Sequence, residues 1–334
     1  MTVEPRRPTL VDVARLAQVA PSTASRALKE SPRISEATRV RVHAAARGLG
    51  YQPNRVAQSL RAKSAPFVGI VVPDIGITFY SRFVKGAQEV LEAAGYQALV
   101  MNTEREAGHE EAALRTLEGH QVTGVLLATS RPTSGEPRIP TVYFDSLADG
   151  RGVAQIALAN DQGMELLVGH LAGHGHRRVG YIGGPPTFTS GQERLAGFRA
   201  AAERHAVRGD AAYVEIADSS WSPESAAGAM ARLLALAEPP TAVVASGDTL
   251  AMGAIAACRA AGRRVPDDLA LVAFDDPVFG ALVDPPLTAL RRSDHELGRK
   301  AAQLLLDGLG GEVATPSVRL PVELVVRRSC GCTP

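Results

Sequence analysis

Thr9-Leu10-Val11-Asp12-Val13-Ala14-Arg15-Leu16-Ala17, then Gln18-Val19-Ala20, then Pro21-Ser22-Thr23-Ala24-Ser25-Arg26-Ala27-Leu28 reads as two short helices joined by a three-residue turn. Thr9 is a candidate N-cap, and Asp12 three residues on suits the positive first turn. Leu10, Val13, Ala14 and Ala17 share one face of the first helix. Pro21 suits the first position of the second, whose apolar stripe is Ala24, Ala27 and Leu28. Alanines on both inner faces let the helices cross closely. Ser22, Thr23, Ser25 and Arg26 then project outward as donors to phosphates and base edges. A third helix begins at the cap Ser35, with Thr38, Val42, Ala45 and Leu49 on one side and Arg39, Arg41 and Arg47 elsewhere. This predicts an all-α helix-turn-helix head over residues 1–50, followed by a linker over 51–65. Within that linker, Arg55 to Arg61 is too short to be a stable helix alone.

Charge is segregated in the same way. Residues 1–63 hold twelve Lys and Arg against four acids, whereas the rest of the chain holds 24 basic and 31 acidic residues. A basic module on an acidic body suits a polyanion binder, because Lys and Arg neutralise phosphates and release counterions. Aromatic residues make up only 4% of the chain, which argues against a base-stacking single-strand binder. Double-stranded DNA is the expected partner.

From Phe67 onward the chain alternates apolar runs with amphipathic stretches. Phe67 to Val72, Ala98 to Met101, Val122 to Ala128, Val179 to Ile182, Ala242 to Ala245 and Leu269 to Phe274 suit parallel strands covered on both faces. Leu320 to Val326 is strand-like as well. In open sheets of this kind ligands bind beyond the carboxyl ends of the strands, where Asp74, Asp145, Asp248 and Asp275-Asp276 fall. The pattern alone predicts a doubly wound α/β body over 66–334, of one or two lobes.

The motifs together resemble the lactose-repressor (LacI/GalR) family of bacterial transcriptional regulators. Thr-Leu-x-Asp-Val-Ala from Thr9, Pro-Ser-Thr-Ala-Ser-Arg-Ala-Leu from Pro21 and Gly-Tyr-x-Pro-Asn-Arg-Val-Ala-x-Ser-Leu from Gly50 occur in that family's order. In the body, Phe67 to Asp74, Arg194 to Phe198, Ala251 to Ala254, Phe274 to Asp276 and Pro286 to Thr288 resemble its periplasmic-binding-protein-like (type I) core. The resemblance implies a cytoplasmic homodimer that binds a pseudo-palindromic operator, a repressor by the family's default, with no catalytic activity and no cofactor. It also implies two discontinuous lobes joined by three crossings.

The resemblance assigns Thr9, Ser22, Thr23, Ser25, Arg26, Asn54, Ala57 and Leu60 to DNA. Leu60 matches a wedge leucine that parts the central base step, and Ala57 the small residue beside it. Between the lobes it assigns Phe79, Tyr80, Asp145, Ser190, Arg194, Trp221, Asp275 and Arg292 to a small-molecule effector, a sugar or sugar-derived compound. Arg292 lies where glutamine is typical of sugar binders, which leads to the expectation of an effector with an anionic group. Gly247 lies where asparagine commonly contacts the ligand. In the head, Gln18 replaces a usual turn glycine and Ala20 a usual capping serine.

Enzyme motifs fail on spacing. His295-Glu296-Leu297-Gly298-Arg299 lacks the second histidine of a zinc-protease helix, and Gly183-Gly184-Pro185-Pro186 lacks the Lys and Ser or Thr of a phosphate-binding loop. Cys330-Gly331-Cys332 has no His or Cys pair near it in sequence, so it reads as a plain tail with no metal. No apolar run reaches the roughly 18 to 20 residues that a spanning helix needs, and the N-terminus lacks a signal-peptide core. With no long helix after the strand-like Leu320 to Val326, a dimer is expected rather than a tetramer.

Overall fold

The computed structural model describes residues 8–28, 30–51, 67–104, 106–129, 138–145, 153–186, 188–209, 213–216, 221–311 and 317–332. The chain divides into two units, Met1–Ala65 and Pro66–Pro334.

The first unit is built on helices α1 (Leu10–Leu16), α2 (Pro21–Leu28) and α3 (Glu36–Gly48). Thr9 and Asp12 form a reciprocal capping box at α1: the Thr9 amide donates to Asp12 Oδ2 at 2.9 Å, and the Asp12 amide donates to Thr9 Oγ1 at 3.4 Å. Ser35 caps α3 by accepting from the Thr38 amide. Val13, Ala14, Ala17, Ala24, Ala27, Val42, Ala45 and Ala46 form the buried core, so small side chains let three short helices touch along their faces. Ala20 brings no capping side chain to α2; its carbonyl oxygen alone accepts from the Thr23 and Ala24 amides.

Gln18 has φ +55°, in the left-handed region where glycine is favoured. An L-residue there costs about 1–2 kcal/mol, of which glycine gives back part as unfolded-state entropy. Gln18→Gly is therefore expected to stabilise the head by about 0.5–1 kcal/mol net. Hydrogen exchange of the α1–α3 amides in the full chain should slow accordingly, and unchanged or faster exchange would contradict the assignment.

The second unit contains two six-stranded sheets. The first lobe comprises β1 (Phe67–Val72), β2 (Gln97–Asn102), β3 (Gly124–Leu127), β4 (Thr141–Phe144), β5 (Ala154–Leu158) and β11 (Ser317–Leu320), in the spatial order β11-β5-β4-β3-β1-β2. All its pairings are parallel. The second lobe comprises β6 (Val179–Gly183), β7 (Val214–Ile216), β8 (Ala242–Ala245), β9 (Ala270–Phe274), β10 (Thr288–Arg291) and β12 (Glu323–Val325), in the order β12-β10-β9-β8-β6-β7. Only β12 runs antiparallel to its neighbour. The chain crosses between lobes after β5, after β10 and between β11 and β12, which makes both lobes discontinuous.

The strand-like run Leu320 to Val326 is in fact two strands in different sheets. Pro321 has no N–H to continue β11's ladder, so the chain leaves one lobe there and enters the other two residues later.

The remaining helices are α4 (Thr78–Ala93), α5 (Ala107–Gly119), α6 (Asn160–Gly173), α7 (Thr189–Arg204), α8 (Pro223–Leu234), α9 (Asp248–Ala260) and α10 (Asp294–Leu309). Helices α4 and α10 cross with almost no side chain between them. A Cβ on Gly86 would lie 2.0 Å from the His295 carbonyl oxygen, and one on Gly298 would lie 2.0 Å from that of Phe83. This crossing fixes the start of α4, which carries Phe79 and Tyr80, against the start of α10, just after Arg292. Among the described residues no helix is long and apolar enough to cross a membrane.

Candidate functional site

Helix α2 carries no acid in its first turn, and its outward residues Ser22 and Arg26 are exposed, with Thr23 and Ser25 half-buried between them. Arg26 lies one helical turn beyond Ser22, so donors line one edge of the helix as groove readout needs. The Thr9 hydroxyl donates to Asp12 Oδ2 at 2.6 Å, so it serves first as a cap. Asn54, Ala57 and Leu60 lie outside the described residues.

In the body, a narrow cavity of about 70 Å³ lies between the two lobes. From the first lobe it is lined by Phe79 and Tyr80 at the start of α4 and by Asp145 just after β4; from the second come Ser190 and Arg194 on α7, Trp221 before α8, and Asp275 after β9. Arg292 lies on the crossing that follows β10. Eight residues from six places in the chain thus converge at the carboxyl ends of two largely parallel sheets, as open α/β sheets arrange their ligands.

Backbone conformation singles out the same place. Of the eight non-glycine residues at positive φ among the described residues, Asp145 (+60°), Trp221 (+49°) and Asp275 (+82°) line this cavity. Such conformations cost energy for a bulky residue like Trp and cluster at binding sites. Two glycines make room for the indole. A Cβ on Gly184 would fall 2.0 Å from Trp221 Cζ2, and one on Gly247 would fall 3.2 Å from Cζ3. Gly247 therefore stands where a longer side chain would press on Trp221.

The charged groups are deeply buried and mutually paired. Arg194 extends over the Phe274 ring at 3.8 Å, donates from Nε to Asn160 Oδ1 at 2.9 Å and from Nη1 to the Ser246 carbonyl at 2.6 Å, and lies 3.7 Å from Asp275 Oδ2. Arg292 lies over Phe79 at 4.4 Å and 2.7 Å from both Asp275 Oδ1 and Asp294 Oδ1. Burial works against the Arg292 charge, but Asp275 and Asp294 outweigh it and raise the pKa further. Burial pushes the Asp275 carboxyl up to about 6, against the pull of Arg292 and Arg194. Burial raises Asp294 as well.

Asp275 Oδ1 and Asp294 Oδ1 sit beside the guanidinium without a well-aligned hydrogen bond. Tyr80 donates its hydroxyl to Asp145 Oδ2 at 2.9 Å and so orients that carboxylate.

Arg292 obtains its counter-charge from the protein itself. Two carboxylates at 2.7 Å already neutralise it, so its presence alone does not call for an anion on the effector. Asp276 is held by a bidentate pair with Arg327, at 2.7 and 2.9 Å.

Sequence reasoning missed Asp294 as the second partner of Arg292, because after Ser293 it looks like an ordinary first-turn acid. It also missed Asn160, which donates to Glu193 Oε2 at 2.7 Å while accepting from Arg194. Ile77, Phe188 and Thr249 also line the wall, and no sequence spacing marks them.

Both parts of the chain match known families. The family model for bacterial regulatory proteins of the lacI family matches residues 9–54, and one for a periplasmic binding protein-like domain matches residues 168–330. The HTH-type transcriptional repressor CytR of Escherichia coli (strain K12) is 32% identical over 98% of this chain and 97% of its own length. The crystal structure of the lac repressor dimer bound to operator and the anti-inducer ONPF superimposes with a TM-score of 0.89 at 27% identity, covering 97% of this chain and 99% of that one. The complex of the transcriptional regulator CelR with cellobiose superimposes with a TM-score of 0.73 at 32% identity, covering 97% of this chain and all (100%) of that one.

Proposed function

The chain belongs to the lacI family of bacterial regulatory proteins, and on that premise we propose that a neutral, hydroxyl-rich ligand held between its lobes sets the affinity of its head for operator DNA. The protein is a DNA-binding transcriptional regulator. It acts as a cytoplasmic repressor without catalytic activity, and as a homodimer that presents two heads to a pseudo-palindrome; the lac repressor is likewise a dimer bound to operator. Ser22, Thr23, Ser25 and Arg26 read the major groove, with the Arg26 fork suited to guanine O6 and N7. By family resemblance Asn54, Ala57 and Leu60 form the hinge contact, where Leu60 parts the central base step.

The cavity carries the ligand assignment. Carboxylates Asp145, Asp248 and Asp275 outnumber guanidiniums Arg194 and Arg292 along its wall. Acceptors therefore dominate, and a carboxylate or phosphate on the ligand would meet repulsion. The Trp221 indole and the Phe79 and Tyr80 rings supply apolar faces for sugar C–H groups. A sugar such as the cellobiose bound by CelR has this chemistry.

Gel-shift selection of duplexes from a random pool tests the reading. The full chain is expected to retain a subset of sequences and a chain lacking residues 1–63 none. Equal retention by both forms would refute it. The chain's one tryptophan is Trp221, so its fluorescence reports the cavity directly when neutral sugars and sugar acids are titrated.

A further inference from the structure

The last described residues of the chain fold back onto the end of α6. His170 lies in the last turn of that helix and His174 is its C-cap, four residues on, so both rings face one side with centroids 4.7 Å apart. Gly331, at φ +88°, lets Cys330 and Cys332 turn toward the same point. Cys332 Sγ lies 3.5 Å from His170 Nε2 and 3.1 Å from His174 Nε2. Ligand atoms of His170, Cys330 and Cys332 all fall within 4.8 Å of one another. The Thr288 hydroxyl donates to Cys330 Sγ at 3.1 Å, a contact that also suits a thiolate.

We propose that His170, His174, Cys330 and Cys332 bind one thiophilic divalent ion of the zinc class. Zinc–sulfur bonds of about 2.3 Å and zinc–nitrogen bonds of about 2.0–2.1 Å give tetrahedral edges of about 3.8 Å between sulfurs and about 3.6 Å between sulfur and nitrogen. The Cys332–His170 separation of 3.5 Å matches such an edge; His170, Cys330 and Cys332 are already clustered, and the exposed His174 ring, 3.1 Å from Cys332 Sγ alone, has to turn inward to serve as the fourth donor. Two thiolates and two imidazoles select zinc-like ions over magnesium or calcium, which take oxygen donors. On binding, each thiol gives up its proton to solvent. Cys330 is buried, whereas Cys332 is half-buried and His174 exposed, which leaves an entry path from solvent. The ion ties the chain's tail to the helix that enters the second lobe. In sequence the two pairs stand far apart, so the Cys-x-Cys tail lacks a visible partner.

Cobalt(II) tests the site on the full chain, freed of metal and of any affinity tag and kept reduced with a phosphine so that no disulfide competes. One equivalent per chain is expected to produce a sulfur-to-cobalt charge-transfer band and the strong visible bands of tetrahedral cobalt, and zinc should displace both. Cys332→Ser, at a half-buried position on the edge of the core, is expected to weaken cobalt binding at least tenfold and to reduce the charge-transfer band. Absence of these bands in the unaltered chain, or identical bands and affinity in Cys332→Ser, would overturn the proposal.

Discussion

Replacing Arg194 with methionine is expected to destabilise the chain by about 3–5 kcal/mol at neutral pH, the cost of breaking a buried ion pair from one side. Methionine keeps much of the hydrocarbon that Arg194, with a side chain 4% exposed, lays over Phe274. It cannot donate to Asn160 Oδ1 or to the Ser246 carbonyl, and it leaves Asp275 with Arg292 alone. The effect should depend on pH, with a sign fixed by Asp275. Burial raises that carboxyl from 3.8 to about 6 in the folded protein, and losing Arg194 raises it further. Between the unfolded and folded values the native state holds more protons than the unfolded one, so stability falls as pH rises through that window. The deficit of Arg194→Met should therefore be smaller at pH about 5 than at pH about 7.5. Urea unfolding at both values measures it. A loss below about 1 kcal/mol, or one that grows toward acid pH, would contradict the pairing.

A single methyl group at Gly184 should abolish tight effector binding. The new Cβ in Gly184→Ala would fall 2.0 Å from Trp221 Cζ2, and Gly247 contacts the other edge of the ring, so the indole must leave its seat. Displacing an aromatic anchor of this kind costs about 2 kcal/mol or more, a loss of at least about 30-fold in affinity. Fluorescence titration with any sugar that quenches the unaltered chain measures the loss, and the emission maximum of the variant should shift to the red as Trp221 meets water. Unaltered affinity in Gly184→Ala would remove Trp221 from the ligand's contacts.

The head was legible in the sequence because its signals are local. Thr9 with Asp12, Pro21 and Ser35 each mark a helix start within four residues, and alanines at helical spacing mark the core. Strands β1, β2, β3, β6, β8 and β9 were legible as apolar runs, whereas β4, β5 and β10, largely buried but only four or five residues long and carrying Thr141, Gln155, Thr288 and Arg291, were not. Short β7, β11 and β12 carry no such run, and Pro321 is the only local mark that Leu320 to Val326 serves two sheets.

The cavity was readable only through family resemblance. Its residues come from separate elements, so no period or spacing connects Phe79 to Arg292. Partnerships were invisible for the same reason. Asp294 neutralises Arg292, and Asn160 orients Arg194, through contacts made only by the folded chain. The His170 and Cys330 pairs show the limit most plainly: each is ordinary alone, and the second lobe's packing brings them together.

The most direct test of the link between cavity and head is the affinity of the full chain for its selected operator duplex, at fixed salt, with and without a neutral sugar that quenches Trp221. Coupling between such sites is typically about 1–3 kcal/mol, so the sugar should shift operator affinity by about 5- to 150-fold, and Asp275→Asn should lose that shift. Operator affinity that ignores the sugar, or a shift that survives intact in Asp275→Asn, would contradict control of the head through this cavity.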